Sequence, residues 1–256
     1  MRVVVTGIFI GVEHIAYRCD TGSRIAEKQI LVDRGKFIEF IGDAGAVVDH
    51  FGDIIPNCAG SGKIGCRIDE VIGITGSYGK TSTKYCLTSL LSAKYNVLMT
   101  PASYNTPMGV VKTVREMLKP SCEIFGCEMG AKYKGDIKEL CDIAKPDLAL
   151  ITSIGPQHLE SFKSIENIID TKFELADSLS DDGTVYLNFD NEHIKSRKVN
   201  CRTVSYALDT SDPACIANNI TYSSSGTTFD IVYKGSTYTF TTKLLGKHNV
   251  QNIAGC

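Results

Sequence analysis

The chain has 256 residues with 27 basic against 29 acidic side chains, a formal net charge of −2, and is 43% hydrophobic and 22% charged. That composition buries a core and excludes disorder as the main state, and its near-neutral balance argues against nucleic-acid binding through a dominant basic surface. Ten cysteines are too dilute for a disulfide-stapled scaffold and none forms a Cys-x-x-Cys pair, so reduced, mostly buried thiols in a cytoplasmic protein are expected.

Along the chain, Met1 to Val12 is apolar but interrupted by Arg2, Thr6 and Gly7, too short to span a bilayer and without a leader-type cleavage pattern. Short apolar runs at Val3–Val5, Ile30–Val32 and Phe37–Ile41, separated by glycines, predict short strands, and Asn57 to Cys66 reads as a linker. From Val71 the pattern becomes regular. Val71–Thr75 is an apolar run entering a glycine turn, and Thr81 to Ala93 has apolar residues at near-helical spacing. Strand-like Asn96–Thr100 follows, then a helix started by Pro107 and stopped before Pro120. Cys122–Met129 predicts a buried strand, Asp136–Ala144 an amphipathic helix and Asp147–Ile154 another strand. Ser164–Leu179 predicts a helix whose Ser164 and Asn167 suit its N-terminus. Gly183–Phe189 and Cys201–Tyr206 are further strands. The alternation predicts an α/β fold, a mostly parallel sheet with helices on both faces. Residues 216–245 break the rhythm with a β-hairpin around Lys234-Gly235, a small antiparallel section.

The strongest chemical signal is Thr75-Gly76-Ser77-Tyr78-Gly79-Lys80-Thr81-Ser82, between a strand and a helix. Glycines allow a tight turn whose N–H groups face phosphate oxygens, and the helix presents its positive end to them. Lys80 adds a charge near the β- and γ-phosphates, and the Thr81 hydroxyl suits Mg²⁺. The broad phosphate-loop pattern requires glycine where this chain has Ile74, so the match to it is incomplete. Glycine turns also join strands to helices where no nucleotide binds. Cys122, Cys127 and His158 raise the idea of zinc, but an odd separation along one strand sets the two thiols on opposite faces, which favours buried core thiols.

The loop from Thr75 to Ser82 resembles that of the Mur ligase superfamily, which also lacks the outer glycine. Further blocks fall in the family's order: Ser103-Tyr104-Asn105-Thr106-Pro107-Met108-Gly109, Glu128-Met129-Gly130, His158-Leu159-Glu160-Ser161-Phe162 followed by Lys172, and Gly246-Lys247-His248-Asn249-Val250-Gln251-Asn252. Glu128-Met129-Gly130 and the His158 block lean towards the members that join D-alanyl-D-alanine to a UDP-N-acetylmuramoyl tripeptide. Folylpolyglutamate synthases, a related group, typically carry Gly-Lys-Gly where this chain has Gly79-Lys80-Thr81.

The resemblance implies an ATP- and Mg²⁺-dependent amide ligase of peptidoglycan precursor synthesis, in which a carboxylate becomes an acyl phosphate and an amine displaces phosphate. It implies nucleotide contacts from Gly76, Ser77, Gly79, Lys80, Thr81 and Ser82, a first metal on Thr81 and Glu128, and a second on His158 and a carbamate of Lys172. Lys80, Lys172 and His158 are the implied catalytic set. Plainer readings stand beside these: Glu128 capping a turn, His158 an ordinary loop histidine, Lys172 on a solvated face. Asn105 and Thr106 contact the UDP-sugar substrate or the γ-phosphate side, or form a turn before Pro107. His248, Asn249 and Asn252 contact adenine, or Asn249 caps its helix. The Asn188-x-Asp190 pair resembles a family block without an assigned role.

Family members carry three domains. On this reading residues 66–256 are the central ATP-binding domain, residues 1–65 a divergent or partial UDP-substrate domain, and the C-terminal ligase domain is absent, so the chain binds ATP without completing ligation alone. The alternatives are a nucleotide-binding module without ligase activity, another Mur-type ligase, and a phosphate-loop kinase or other NTPase.

Overall fold

A computed structural model describes residues 3–5, 68–208 and 213–256. The predicted strands at 30–32 and 37–41, the linker at 57–66 and nearly all of the region assigned to 1–65 lie outside the described residues.

From residue 70 onward the elements are β2 (Glu70–Thr75), α1 (Lys80–Leu91), β3 (Val97–Met99), α2 (Pro107–Met117), β4 (Ile124–Glu128), α3 (Asp136–Ala144), β5 (Leu148–Ile151), α4 (Leu159–Phe162), α5 (Ile165–Asp177), β6 (Thr184–Asn188), α6 (Glu192–Lys195), β7 (Arg202–Leu208), β8 (Cys215–Ser223), β9 (Gly226–Tyr233), β10 (Ser236–Thr242) and α7 (Lys247–Ala254). β1 (Val3–Val5) pairs parallel with β10. Together they form one sheet in the order β1-β10-β9-β8-β7-β6-β5-β2-β4-β3. It is parallel from β3 through β8 and antiparallel across β8, β9 and β10, as the broken rhythm predicts. The hairpin turns at Lys234 (φ 50°) and Gly235 (φ 77°), left-handed backbone that fits the twist of a two-residue turn.

Side-chain alternation sorts the sheet into two cores. Val71, Phe125, Cys127, Ala149, Ile151, Val185 and Leu187 pack with Val110, Val114, Ile137, Leu140, Ile168 and Leu175 of α2, α3 and α5. Ile72, Ile74, Ile124 and Leu150 point the other way and meet Leu87 of α1. A third cluster joins Tyr206, Phe229 and Ile231 to Val250 and Ile253 of α7. Glu128 shares the parity of Ile124, so the end of β4 aims its carboxylate at α1.

Two expectations need correction. Cys122 precedes β4 rather than lying on it, so strand parity does not separate it from Cys127; both are buried in the same core. The segment Cys215–Ser223 is itself a strand, β8, which adds a third member to the expected hairpin. As buried thiols, Cys86 and Cys141 are pushed by desolvation to about 11 and about 12 respectively, so both stay protonated at neutral pH.

Candidate active site

The C-terminal ends of β2, β3, β4 and β5 bring four loops to one edge of the sheet, where ligands of open parallel sheets bind. The glycine loop after β2 turns through Gly76 (φ 149°) and Gly79 (φ 84°), both outside the range that other residues adopt comfortably. The loop after β5 braces it. Thr152 Oγ1 donates to Tyr78 O at 2.6 Å and to Thr75 O at 3.2 Å. Ser77 N donates to Ser153 O at 2.6 Å, and Ser77 Oγ bonds the Gly155 main chain. The predicted inward-facing amides therefore begin later than Ser77, whose amide holds the loop together.

Helix α1 starts at Lys80 with no side-chain cap, leaving the positive end that an anion would fill. Lys80 folds back over the loop, its ammonium donating to Gly76 O at 2.7 Å and Ser77 O at 3.4 Å. Burial lowers its pKa and Glu128 partly restores it. Gly79 lies against Asn252: a Cβ there would stand 2.7 Å from Asn252 Oδ1. Of the three residues predicted on α7, Asn252 thus reaches the loop. The Asn249 amide donates to Leu245 O at 2.8 Å, bracing the turn into the helix, and His248 is exposed beside Gly246.

Glu128 is the hub. Its carboxylate is 1% exposed, with Oε1 accepting from Thr81 Oγ1 at 3.0 Å and Asn105 Nδ2 at 3.3 Å. Oε2 faces the ammonium of Lys84, 2.9 Å away and itself fully buried, and has no other polar partner among the described residues. Lys84 also donates to Ala102 O. Asn105 is anchored by its carbonyl, which accepts from Gly130 N at 2.8 Å. Thr106 caps α2, accepting from Gly109 N at 3.4 Å.

Thr81 and Glu128 fit a Mg²⁺ ion: two hard oxygen donors already converge at the foot of the loop. His158 is exposed at the turn into α4 (φ 55°). Lys172 is 2% exposed on α5, rather than on a solvated face, with its ammonium 6.0 Å from the Phe162 ring. Burial, aided by the Lys80 charge, pushes its pKa down to about 8 against the upward pull of Asp136 and Glu174. Those carboxylates are engaged by main-chain amides of the loop and first turn around α3. A protonated lysine repels a metal, so the second predicted set fits one only once Lys172 has lost its charge. Among the described residues no three His, Cys, Asp or Glu side chains cluster to hold a metal. The predicted donors differ in kind, since a hydroxyl or a modified lysine enters each set.

The buried charge has a measurable cost. Below pH 8 Lys172 is protonated in both folded and unfolded states, and its burial penalty is fully present. Between about 8 and its ordinary value of 10.5 the folded protein releases the proton first, so stability rises with pH. In CO2-free buffer, Lys172→Met is expected to stabilise the protein at pH 7 by up to about 3 kcal/mol, an advantage that fades by pH 10. Urea titrations at both pH values check this, and an equal difference at each would contradict it.

Lys84, Thr152 and Ser153 have no counterpart in the sequence-based site. Lys84 lies four residues after Lys80, hence on the same side of α1, a spacing that could have flagged it. A second network, Asn188 Nδ2 to Thr152 O (2.7 Å) and Gln251 Nε2 to Asp190 Oδ2 (2.6 Å), ties α7 and β6 to the bracing loop and gives the Asn188-x-Asp190 pair a structural task.

A family model for the Mur ligase middle domain matches residues 74–256. The chain belongs to the Mur ligase family. The UDP-N-acetylmuramoyl-tripeptide–D-alanyl-D-alanine ligase of Bacillus subtilis is 37% identical over 183 residues, covering 72% of this chain and 39% of that protein. The Escherichia coli enzyme of the same name is 30% identical over 190 residues, 72% of this chain and 41% of its own. A crystal structure of MurF ligase from Thermotoga maritima in complex with ADP superposes with a TM-score of 0.68 at 30% identity, covering 73% of this chain and 44% of that one. The chain thus spans about two-fifths of the length of these Mur ligases. Among the described residues, no helix is long and apolar enough to cross a membrane.

Proposed function

We propose that the chain is the ATP-binding core of a cytoplasmic amide ligase of peptidoglycan precursor synthesis. In this reading the carboxylate of a UDP-N-acetylmuramoyl peptide attacks the γ-phosphate of ATP to form an acyl phosphate, which D-alanyl-D-alanine then opens. The observation that carries it is the convergence, at one sheet edge, of an uncapped helix start, the Lys80 ammonium and the Thr81–Glu128 pair.

Each residue has a task in that chemistry. Lys80 leaves the loop carbonyls for the triphosphate, offsetting charge where two anions must meet. The first-turn amides of α1 orient the phosphates. Thr81 and Glu128 would hold Mg²⁺, which when bound supplies charge neutralisation on the phosphate oxygens. Lys172, with its lowered pKa, supplies a neutral amine that can take up CO2 and release a proton, giving oxygen donors for a second ion together with His158. Asn105 holds the Glu128 carboxylate, and Asn252 places α7, with His248 and Asn249, beside the nucleotide loop. The names of the relatives support the substrate assignment.

Isothermal titration of Mg²⁺·ATP into the protein and into Lys80→Ala tests the reading. Saturable binding is expected, with a loss of at least about tenfold in the variant, as for removal of one charge-assisted contact. Equal affinity in both proteins would remove the loop from the site.

A further inference from the structure

Glu128 is presented with one oxygen already neutralised. Lys84 is fully buried, 2.9 Å from Oε2, and is held there by the Ala102 carbonyl from the loop after β3. Ala102 itself adopts left-handed backbone (φ 44°), so a strained turn supplies the acceptor that fixes the ammonium. The face of Glu128 turned to the glycine loop offers Oε1, shared by Thr81 and Asn105. A dication approaching that oxygen meets a carboxylate whose charge is cancelled by a fully buried counter-ion. The triphosphate brings several negative charges to the same edge, and these would outweigh the ammonium at short range in a poorly screened site.

We infer that Lys84 is a positioning residue that makes metal binding at Thr81 and Glu128 conditional on the nucleotide, by holding Glu128 neutralised and open at one oxygen. The protein then takes its metal together with ATP and does not hold a free ion that would block the loop. This inference rests on the metal assignment made above.

The test is Mn²⁺ binding followed by electron paramagnetic resonance, with thermal unfolding at rising Mn²⁺, both without nucleotide. Wild-type protein and Lys84→Arg are expected to bind weakly and show no metal-dependent rise in Tm. Lys84→Met, which leaves Glu128 uncompensated, is expected to bind Mn²⁺ at least about tenfold more tightly and to regain stability as Mn²⁺ is added, since the ion replaces the lost charge. The gain should vanish in Lys84→Met/Glu128→Gln. The metal-dependent recovery makes even a poorly stable variant informative. Lys84→Met no better than wild type in affinity and recovery, or a gain that survives Glu128→Gln, would overturn the inference. The metal assignment has its own arm: Mn²⁺·ATP affinity unchanged by Glu128→Gln in the otherwise wild-type chain would remove it.

Discussion

Lys84→Ala is expected to cost about 3–5 kcal/mol of unfolding stability, the range for stripping one partner from a buried ion pair. Lys84 and Glu128 are 0% and 1% exposed, so the carboxylate left behind has no water to replace the ammonium. The hydroxyl of Thr81 and the amide of Asn105 remain on Oε1, but Oε2 loses its one partner among the described residues, the Lys84 ammonium. Loss of the side chain beyond Cβ adds a cavity between α1 and the loop after β3. The Tm should fall by about 6–20 °C for a domain of this size. Removing both partners in Lys84→Ala/Glu128→Ala should cost clearly less than the sum of the single changes, because neither charge is then orphaned. Additive losses, or a single-variant loss under about 1 kcal/mol, would show that water reaches the pair in solution.

Gly76→Ala is expected to damage fold and binding together. At φ 149° a side chain is already strained, and the new Cβ would stand 2.1 Å from Thr152 Oγ1 and 2.9 Å from Ser153 O. Those atoms form the brace of the glycine loop, through the hydroxyl bonds to Thr75 and Tyr78 and the Ser77 amide bond to Ser153 O. The loop can accept the methyl group only by releasing the brace, which should cost about 2–3 kcal/mol in strain and broken hydrogen bonds and bring nucleotide affinity below detection in calorimetry. Gly135 is the control. It has a positive φ of 96° but nothing within 4 Å of the place a methyl group would take, so Gly135→Ala should show the backbone strain alone, about 1 kcal/mol, with nucleotide binding intact. Similar behaviour of the two variants would mean that strain, not the clash with the bracing loop, sets the effect.

The parts of this architecture written in local pattern were readable from the sequence. Asp136–Ala144 alternates with helical period and is found over those residues; Pro107 starts α2, and Ser164 caps α5 through the Asn167 amide as its position predicts. The Mur ligase assignment was legible because its blocks are short, ordered and tied to strand ends. Three things were not. β8 is interrupted at Asn218-Asn219, where Asn219 is left-handed (φ 51°) and the pairing with β9 shifts register, so its apolar alternation breaks mid-strand. Parity misplaced Cys122 because the rule was applied across a strand boundary that hydropathy does not mark. Lys84 reads as an ordinary helix lysine until β4 is laid beside β2 in parallel register, Ile74 opposite Glu128, which sets the carboxylate against the first turns of α1. The spacing from Lys80 sets Lys84 on the loop side of α1, but its partner Glu128 is fixed only by β4 lying beside β2.

The proposed function depends above all on the turn ending in Lys80 gripping the phosphate chain of a nucleotide. A crystal structure of this chain with Mg²⁺ and a non-hydrolysable ATP analogue tests it most directly. The terminal phosphates are expected against the first turn of α1, with the Lys80 ammonium moved off Gly76 O onto phosphate oxygen, and Thr81 and Glu128 beside the metal. A nucleotide bound elsewhere, with Lys80 still on its loop carbonyls, would contradict it.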